Sequence, residues 1–177
     1  MGSSLFLPFF VLALLHHNLL LSVLASVEDA CKAVTIKNQN VGYNFCVTSL
    51  QADPNSGSTD SKGLAIIAAN LTKVNATITA AKIQSLLKEP LDPVAKALLN
   101  TCTNIYENII DLLSSSIDAL RAGRVAEAKE KLMLAENKPE DCDDLLFEGG
   151  KNSLLAKEDE DCQGLVTITQ TFASMLA

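Results

Sequence analysis

From Asp60 onward, apolar residues recur at helical spacing along nearly the whole chain. Between Asp60 and Glu89 they fall at Leu64, Ile67, Leu71, Val74, Ile78, Ala81 and Leu86, mostly in steps of three and four that lay a stripe along one face of a helix. Pro90 cannot continue that helix. A second stripe runs through Val94, Leu98, Cys102, Ile105, Ile109, Leu112 and Leu120, with Ser116 as its polar exception. Asp92 and Pro93 mark its start: a carboxylate for the first free amides, then a ring that presets φ. Gly123 stops it, and Val125, Ala128, Leu132 and Ala135 open a shorter stripe running back. Lys138-Pro139 begins a further turn carrying Cys142, Leu145 and Leu146, and Gly149-Gly150 reads as a loop. A last helix is expected from about Leu154 or Glu160 to the end, with Leu165, Ile168, Phe172 and Met175 inward.

Upstream, residues 27–37 and Tyr43 to Leu50 read as two short helical segments separated by Asn38 to Gly42, too short to be stable alone. Asp53 to Ser58 has the composition of a loop. No segment sustains a period of two. The pattern predicts an all-α fold, an up-and-down four-helix bundle preceded by a stapled helical hairpin.

The first residues change the picture of what is folded. No Asp, Glu, Lys or Arg precedes Glu28, and residues 5–15 and 19–24 are almost wholly apolar. Val23-Leu24-Ala25 places small residues where a secretory signal is cut, so residues 1–25 are expected to be a signal peptide and 26–177 the mature domain. His16-His17-Asn18 interrupts the apolar run, which argues against a signal anchor spanning a membrane. The formal charge of −7 then belongs to the mature chain. An acidic surface disfavours nucleic acid, anionic membrane and heparin as partners. With no Trp and few aromatics, a stacking platform for bases or sugars is not expected.

All five cysteines (31, 46, 102, 142 and 162) follow the leader, which in a secreted chain predicts disulfides with one thiol left over. Cys31 with Cys46 is the natural local pair. A bond from Cys102 to Cys142 would staple the long helix to its return partner across a loop of about 40 residues, worth about 4 kcal/mol on the chain-entropy model. Two bridges among five cysteines still allow fifteen arrangements, which spacing does not settle. Cys162 sits in an acidic stretch taken as a turn. As a free thiol it offers a route to a homodimer, with a buried or solvated thiol the plainer alternative.

Catalytic chemistry is nearly missing. Both histidines, His16 and His17, lie in the leader, so the mature chain carries no imidazole base, ligand or triad member. Ser114-Ser115-Ser116 has no base within sequence reach. Asp141, Asp143 and Asp144, and the run from Glu158 to Asp161, read as solvated acidic faces. They lack the glycine and closing glutamate of a calcium loop, so no metal and no cofactor are expected. Asn70-Leu-Thr72 and Asn75-Ala-Thr77 are glycosylation sequons, both on a predicted helix. Tyr106, one turn after Cys102, reads as a core aromatic beside a disulfide.

The ordered set Cys31, Tyr43-Asn-Phe-Cys46, Ser49-Leu50, Asp53-Pro54, Leu99-Asn-Thr-Cys102, Tyr106 and Cys142 resembles the plant invertase and pectin methylesterase inhibitor family, in particular the invertase inhibitors known as pollen allergens. The resemblance spans the whole mature chain. It implies a four-helix bundle with an N-terminal helical hairpin and the pairings Cys31–Cys46 and Cys102–Cys142. It also implies a secreted, non-enzymatic plant glycoprotein of the cell wall or vacuole. Such a protein blocks the substrate cleft of an acid invertase (a β-fructofuranosidase) or a pectin methylesterase one to one. In invertase inhibitors a Pro-Lys-Phe tip enters the active site, and the matching places here hold Gly123, Arg124 and Val125. The cation is kept as Arg, able to pair bidentately with a carboxylate. The ring and the rigid Pro are not kept. Arg124 is otherwise a helix-end cation. Two alternatives stand beside inhibition: a carrier of an apolar small ligand, and an allergen-like scaffold that has lost its target.

Overall fold

The computed structural model describes residues 26–151 and 154–176; the expected signal peptide lies outside them. The helices are α1 (Val27–Lys37), α2 (Tyr43–Gln51), α3 (Ser61–Leu86), α4 (Pro93–Arg121), α5 (Val125–Ala135), α6 (Lys138–Glu148) and α7 (Ala156–Ser174), with a 3₁₀ turn at Ser56–Ser58. No strand occurs among the described residues. Three helix starts are capped by short polar side chains. Ser26 Oγ accepts from the Asp29 amide at 3.1 Å, and Asp60 Oδ1 accepts from the Gly63 amide at 2.7 Å. Asp92 Oδ1 accepts from the amides of Val94 and Ala95, each at 3.0 Å, with Pro93 following it.

Helices α3, α4, the serial pair α5–α6, and α7 form the four arms of a bundle, each packed against two others. The third arm is broken at Glu136 and Asn137, just before Pro139. Contacts between opposite ends establish the up-and-down course. Lys62 at the start of α3 donates to the Arg121 carbonyl at the end of α4, and Lys82 late in α3 pairs with Glu158 early in α7. Asp92 before α4 pairs with Lys151 after α6, and Lys129 in α5 donates to the Leu176 carbonyl after α7. The hairpin α1–α2 packs on α7 and α3. There Gly164 of α7 lets Phe45 approach so closely that a Cβ would lie 2.7 Å from its Cε1.

Two inward faces differ from the expected stripes. On α4 the buried line is Ala95, Leu99, Cys102, Tyr106, Ile109, Leu113, Ser116 and Leu120. Val94 is 55% exposed, while Leu98, Ile105 and Leu112 lie half-buried beside the core. On α3 the expected Leu64 and Ile67 are buried, and Leu71 and Leu86 pack half-buried on the core, but the buried line continues through Ala65, Ala69, Thr72, Ala76, Thr79 and Ile83. Val74 and Ile78 point outward and Ala81 is exposed. Large residues were expected inside because they gain most from burial. The α3–α7 contact instead uses small residues that let the two helices close. Its threonine hydroxyls are satisfied locally: Thr72 Oγ1 bonds the Ala68 carbonyl at 2.7 Å and Thr169 Oγ1 at 2.8 Å. Met175 is likewise 37% exposed rather than inward.

Helix α3 is long and apolar enough to cross a membrane, with a mean hydropathy of 1.3 over its most apolar window. Here it lies against α4 and α7. The bundle interior is filled by fully buried side chains including Tyr106, Leu99, Ile109, Leu113 and Leu146. An open apolar recess of about 220 Å³, lined by Ala30, Ala33, Leu64, Phe172 and Met175, lies beside the hairpin, not between the arms.

Candidate functional site

The α4–α5 corner is built by backbone geometry. Gly123 adopts φ +75°, and its amide bonds the Leu120 carbonyl at 3.1 Å, while the Arg124 amide reaches back to the Ala119 carbonyl at 2.8 Å. This is a Schellman close, in which a left-handed residue satisfies the last free carbonyls of a helix. Arg124 then sits at the N-cap of α5 with φ −86° and ψ 67°. The C-terminal end of one helix dipole and the N-terminal end of another therefore meet at Arg124, so the dipoles alone do not explain a cation there. Glu127 in the first turn of α5 does: its Oε2 lies 2.7 Å from Arg124 Nε. Both side chains are about half exposed, at 55% and 43%. A pair of this kind is worth little in water and is readily exchanged for another carboxylate. Val125 is half-buried beside them, and the three tip residues border a shallow, open recess with Ala126, Glu127 and Lys129.

Behind the tip, two bridges tie the elements together. Cys31–Cys46 joins α1 to α2, and Cys102–Cys142 joins α4 to α6, with Cα separations of 5.7 Å and 5.3 Å and all four residues fully buried. Cys162 is the free cysteine. It lies inside α7 rather than in a turn, fully buried. Burial, then the Asp159 carboxylate, pushes its thiol up to about 12. A thiol so placed cannot link two chains, and the cross-linked homodimer is set aside on that ground.

Tyr106 is buried beside the Cys102–Cys142 bridge, and its hydroxyl donates to Asp159 Oδ1 at 2.6 Å. Asp159 is only 2% exposed, which corrects the expectation of a wholly solvated run from Glu158 to Asp161. The signal for this was present. Leu155, Asp159, Cys162, Val166, Thr169 and Ala173 follow the alternating four–three spacing of a buried stripe, and each is buried. Burial pushes the Asp159 carboxyl up to about 7, against the lowering effect of the Tyr106 hydrogen bond. The same burial, with the neighbouring Cys162 and Asp159, raises the Tyr106 phenol.

The remaining candidates are structural or peripheral. Ser116 is buried and donates to the Ala128 carbonyl at 3.4 Å, and Ser114 donates to the Ile110 carbonyl at 2.7 Å. Asn70 is half-buried, its amide donating to the Ile66 carbonyl at 2.8 Å, and Asn75 is half-buried with Oδ1 unpartnered. Among the described residues no group of three potential ligands is placed to hold a metal ion.

The family model for plant invertase/pectin methylesterase inhibitor domains matches residues 25–171. The chain belongs to that family. Among its relatives is a "Putative invertase inhibitor" of Platanus orientalis, 33% identical over 151 residues, covering 85% of this chain and 89% of that one. A "Cell wall / vacuolar inhibitor of fructosidase 2" of Arabidopsis thaliana is 32% identical over 117 residues, covering 66% and 62% of the two chains. A crystal structure of a mutant pectin methylesterase inhibitor from Arabidopsis superimposes with a TM-score of 0.71 at 23% identity, covering 82% of this chain and 97% of that one. That likeness establishes the family's helical bundle for this chain.

Proposed function

We propose that this protein is a secreted, non-catalytic inhibitor that occupies the substrate cleft of a plant acid invertase or pectin methylesterase in a one-to-one complex. The observation carrying this reading is the family match over residues 25–171, on a chain whose mature part lacks histidine. Inhibitor names on relatives of similar length support it. Cell wall and vacuolar inhibitors among the relatives favour an extracellular or vacuolar location, in line with a leader ending at Ala25.

Gly123, Arg124 and Val125 are the segment expected to reach into the target. The corner is closed by two backbone hydrogen bonds, exposes Gly123 and Arg124, and carries a guanidinium whose partner Glu127 is exchangeable. Docking on a preformed corner avoids much of the cost of ordering a loop. The test is titration of the oxidised mature protein against one acid invertase and one pectin methylesterase, following residual activity. Stoichiometric loss in one assay names the target. No loss in either, from a folded helical protein, overturns the inhibitor reading for those enzymes.

A further inference from the structure

A second acidic feature lies away from the α4–α5 corner. Between α7, the α5–α6 junction and the α1–α2 link is a cleft of about 470 Å³. Its lining includes Glu136, Glu140, Asp143, Asp159 and Glu160, and no lysine or arginine lines it. The carboxylates come from both sides: Glu136, Glu140 and Asp143 from the α5–α6 arm, Asp159 and Glu160 from α7. Polar residues on a surface are ordinarily just solvated, but one carboxylate and one amide oxygen here are not. Asp159 is 2% exposed; Tyr106 takes up Oδ1, while Oδ2 is buried with no partner. One turn on, Gln163 also lines the cleft, and its Oε1 is buried and unpartnered. Buried acceptors without donors are costly, so Gln163 Oε1, and Asp159 Oδ2 once it is ionised, suit a ligand that brings N–H or O–H groups.

A metal ion is a poor match, because no three of these groups converge on one point. A single ammonium would leave most of the opposing carboxylates uncompensated. A flexible chain with several ammonium groups spaced by methylenes meets both requirements. Each nitrogen brings donors, and the spacing follows carboxylates that are spread apart. The volume is of the size that holds small ligands.

We propose that this cleft is a binding site for a linear aliphatic polyamine, with one ammonium seated on Asp159 Oδ2 and Gln163 Oε1 and the others paired to Glu140, Asp143 and Glu160. The proposal does not depend on inhibition of any enzyme. Binding should also release a proton near neutral pH, since an ammonium on Oδ2 competes with protonation of a carboxyl that burial pushes up to about 7. The groups facing Asp159 are Tyr106 of α4, Asp143 of α6, Glu158 and Cys162 of α7, and Lys82 of α3. Tyr106 donates whether or not Asp159 is ionised, and the Lys82 ammonium is already paired with Glu158 at 2.6 Å.

The test is calorimetric titration of the oxidised mature protein with spermidine in moderate salt, at pH 8 and at pH 5. A saturable one-site isotherm is expected, weaker at pH 5. Asp159→Asn should weaken binding about tenfold or more, the loss expected when a buried charge partner is removed. Its amide oxygen can still accept from Tyr106. Asp111→Asn, on an exposed position of α4 outside the cleft, should leave binding within about twofold, as for a distant screened charge. If Asp159→Asn does not fold, the pair Glu140→Gln and Asp143→Asn at the rim supplies the same comparison. No saturable heat overturns the proposal. So do equal losses in the Asp111 and cleft variants, or saturable Mg²⁺ binding without spermidine binding.

Discussion

Asp159 is the residue whose setting most affects the behaviour of the protein. Its folded carboxyl is raised from 3.8 to about 7, chiefly by burial, so the native state holds an extra proton between those values. A raised folded value means that stability is fully present below the unfolded value and is lost as pH climbs through the folded one. Urea unfolding followed from pH 4.5 to pH 8 should therefore show a decline of roughly 2–4 kcal/mol. Asp159→Asn should flatten that slope; an unchanged slope would mean that another group carries it. Asp92 and Asp29 work in the opposite sense. Hydrogen bonds from Lys151 and Lys32 hold their carboxyls below the usual range, so their contribution is lost only as pH falls through more acid values. Arg124→Ala removes an exposed pair and should change stability by no more than about 0.5 kcal/mol. In the inhibition assay the same change should weaken binding about tenfold or more if the guanidinium inserts into the target. Equal potency of the variant would show that the corner does not dock through this side chain.

The elements differ in how plainly their sequence announces them. The start of α4 is legible from Asp92-Pro93 and its end from Gly123, because capping and left-handed turns restrict residue type within a few positions. The inward face of α3 was harder to see. Val74 and Ile78 outweigh Thr72, Ala76 and Thr79 in apolar area, yet the alanine and threonines face the core. What selects them is how closely α7 approaches, a property of the pair of helices. The staple between α4 and α6 links the long helix to the broken third arm. Replacing Cys102 and Cys142 together by Ser should cost about 3–4 kcal/mol on the chain-entropy model, read from the denaturant midpoint. At the hairpin, Gly164→Ala would push a methyl group against the Phe45 ring. A loss of about 1–3 kcal/mol is expected from such overpacking, and a neutral outcome would mean that the ring moves aside.

For the molecule as a whole, the hairpin and bundle share one apolar cluster, in which Val27, Val34, Val41 and Leu50 meet Leu64, Leu120, Ile168 and Phe172. The hairpin is therefore expected to unfold with the bundle in a single transition. Burial of Cys162 allows a simple check of the assembled state. The native protein should react with no thiol reagent within minutes, whereas the unreduced protein in denaturant should titrate one thiol. Fast native labelling, or a disulfide-linked dimer on a non-reducing gel, would contradict the placement of Cys162 inside α7.

Helix content, the cap at Asp92, the break at Gly123 and the lack of any histidine after His17 were all readable along the chain. Each depends on local periodicity, on backbone chemistry of a few neighbouring residues, or on composition alone. Family membership was readable as well, from an ordered set of cysteines and aromatic residues. The burial of Asp159 against Tyr106, the enclosure of Cys162 and the cleft between α7 and the α5–α6 arm became visible only with the fold assembled. These features bring together residues as far apart as Tyr106 and Asp159, and whether a carboxylate is solvated or buried depends on which helix packs over it.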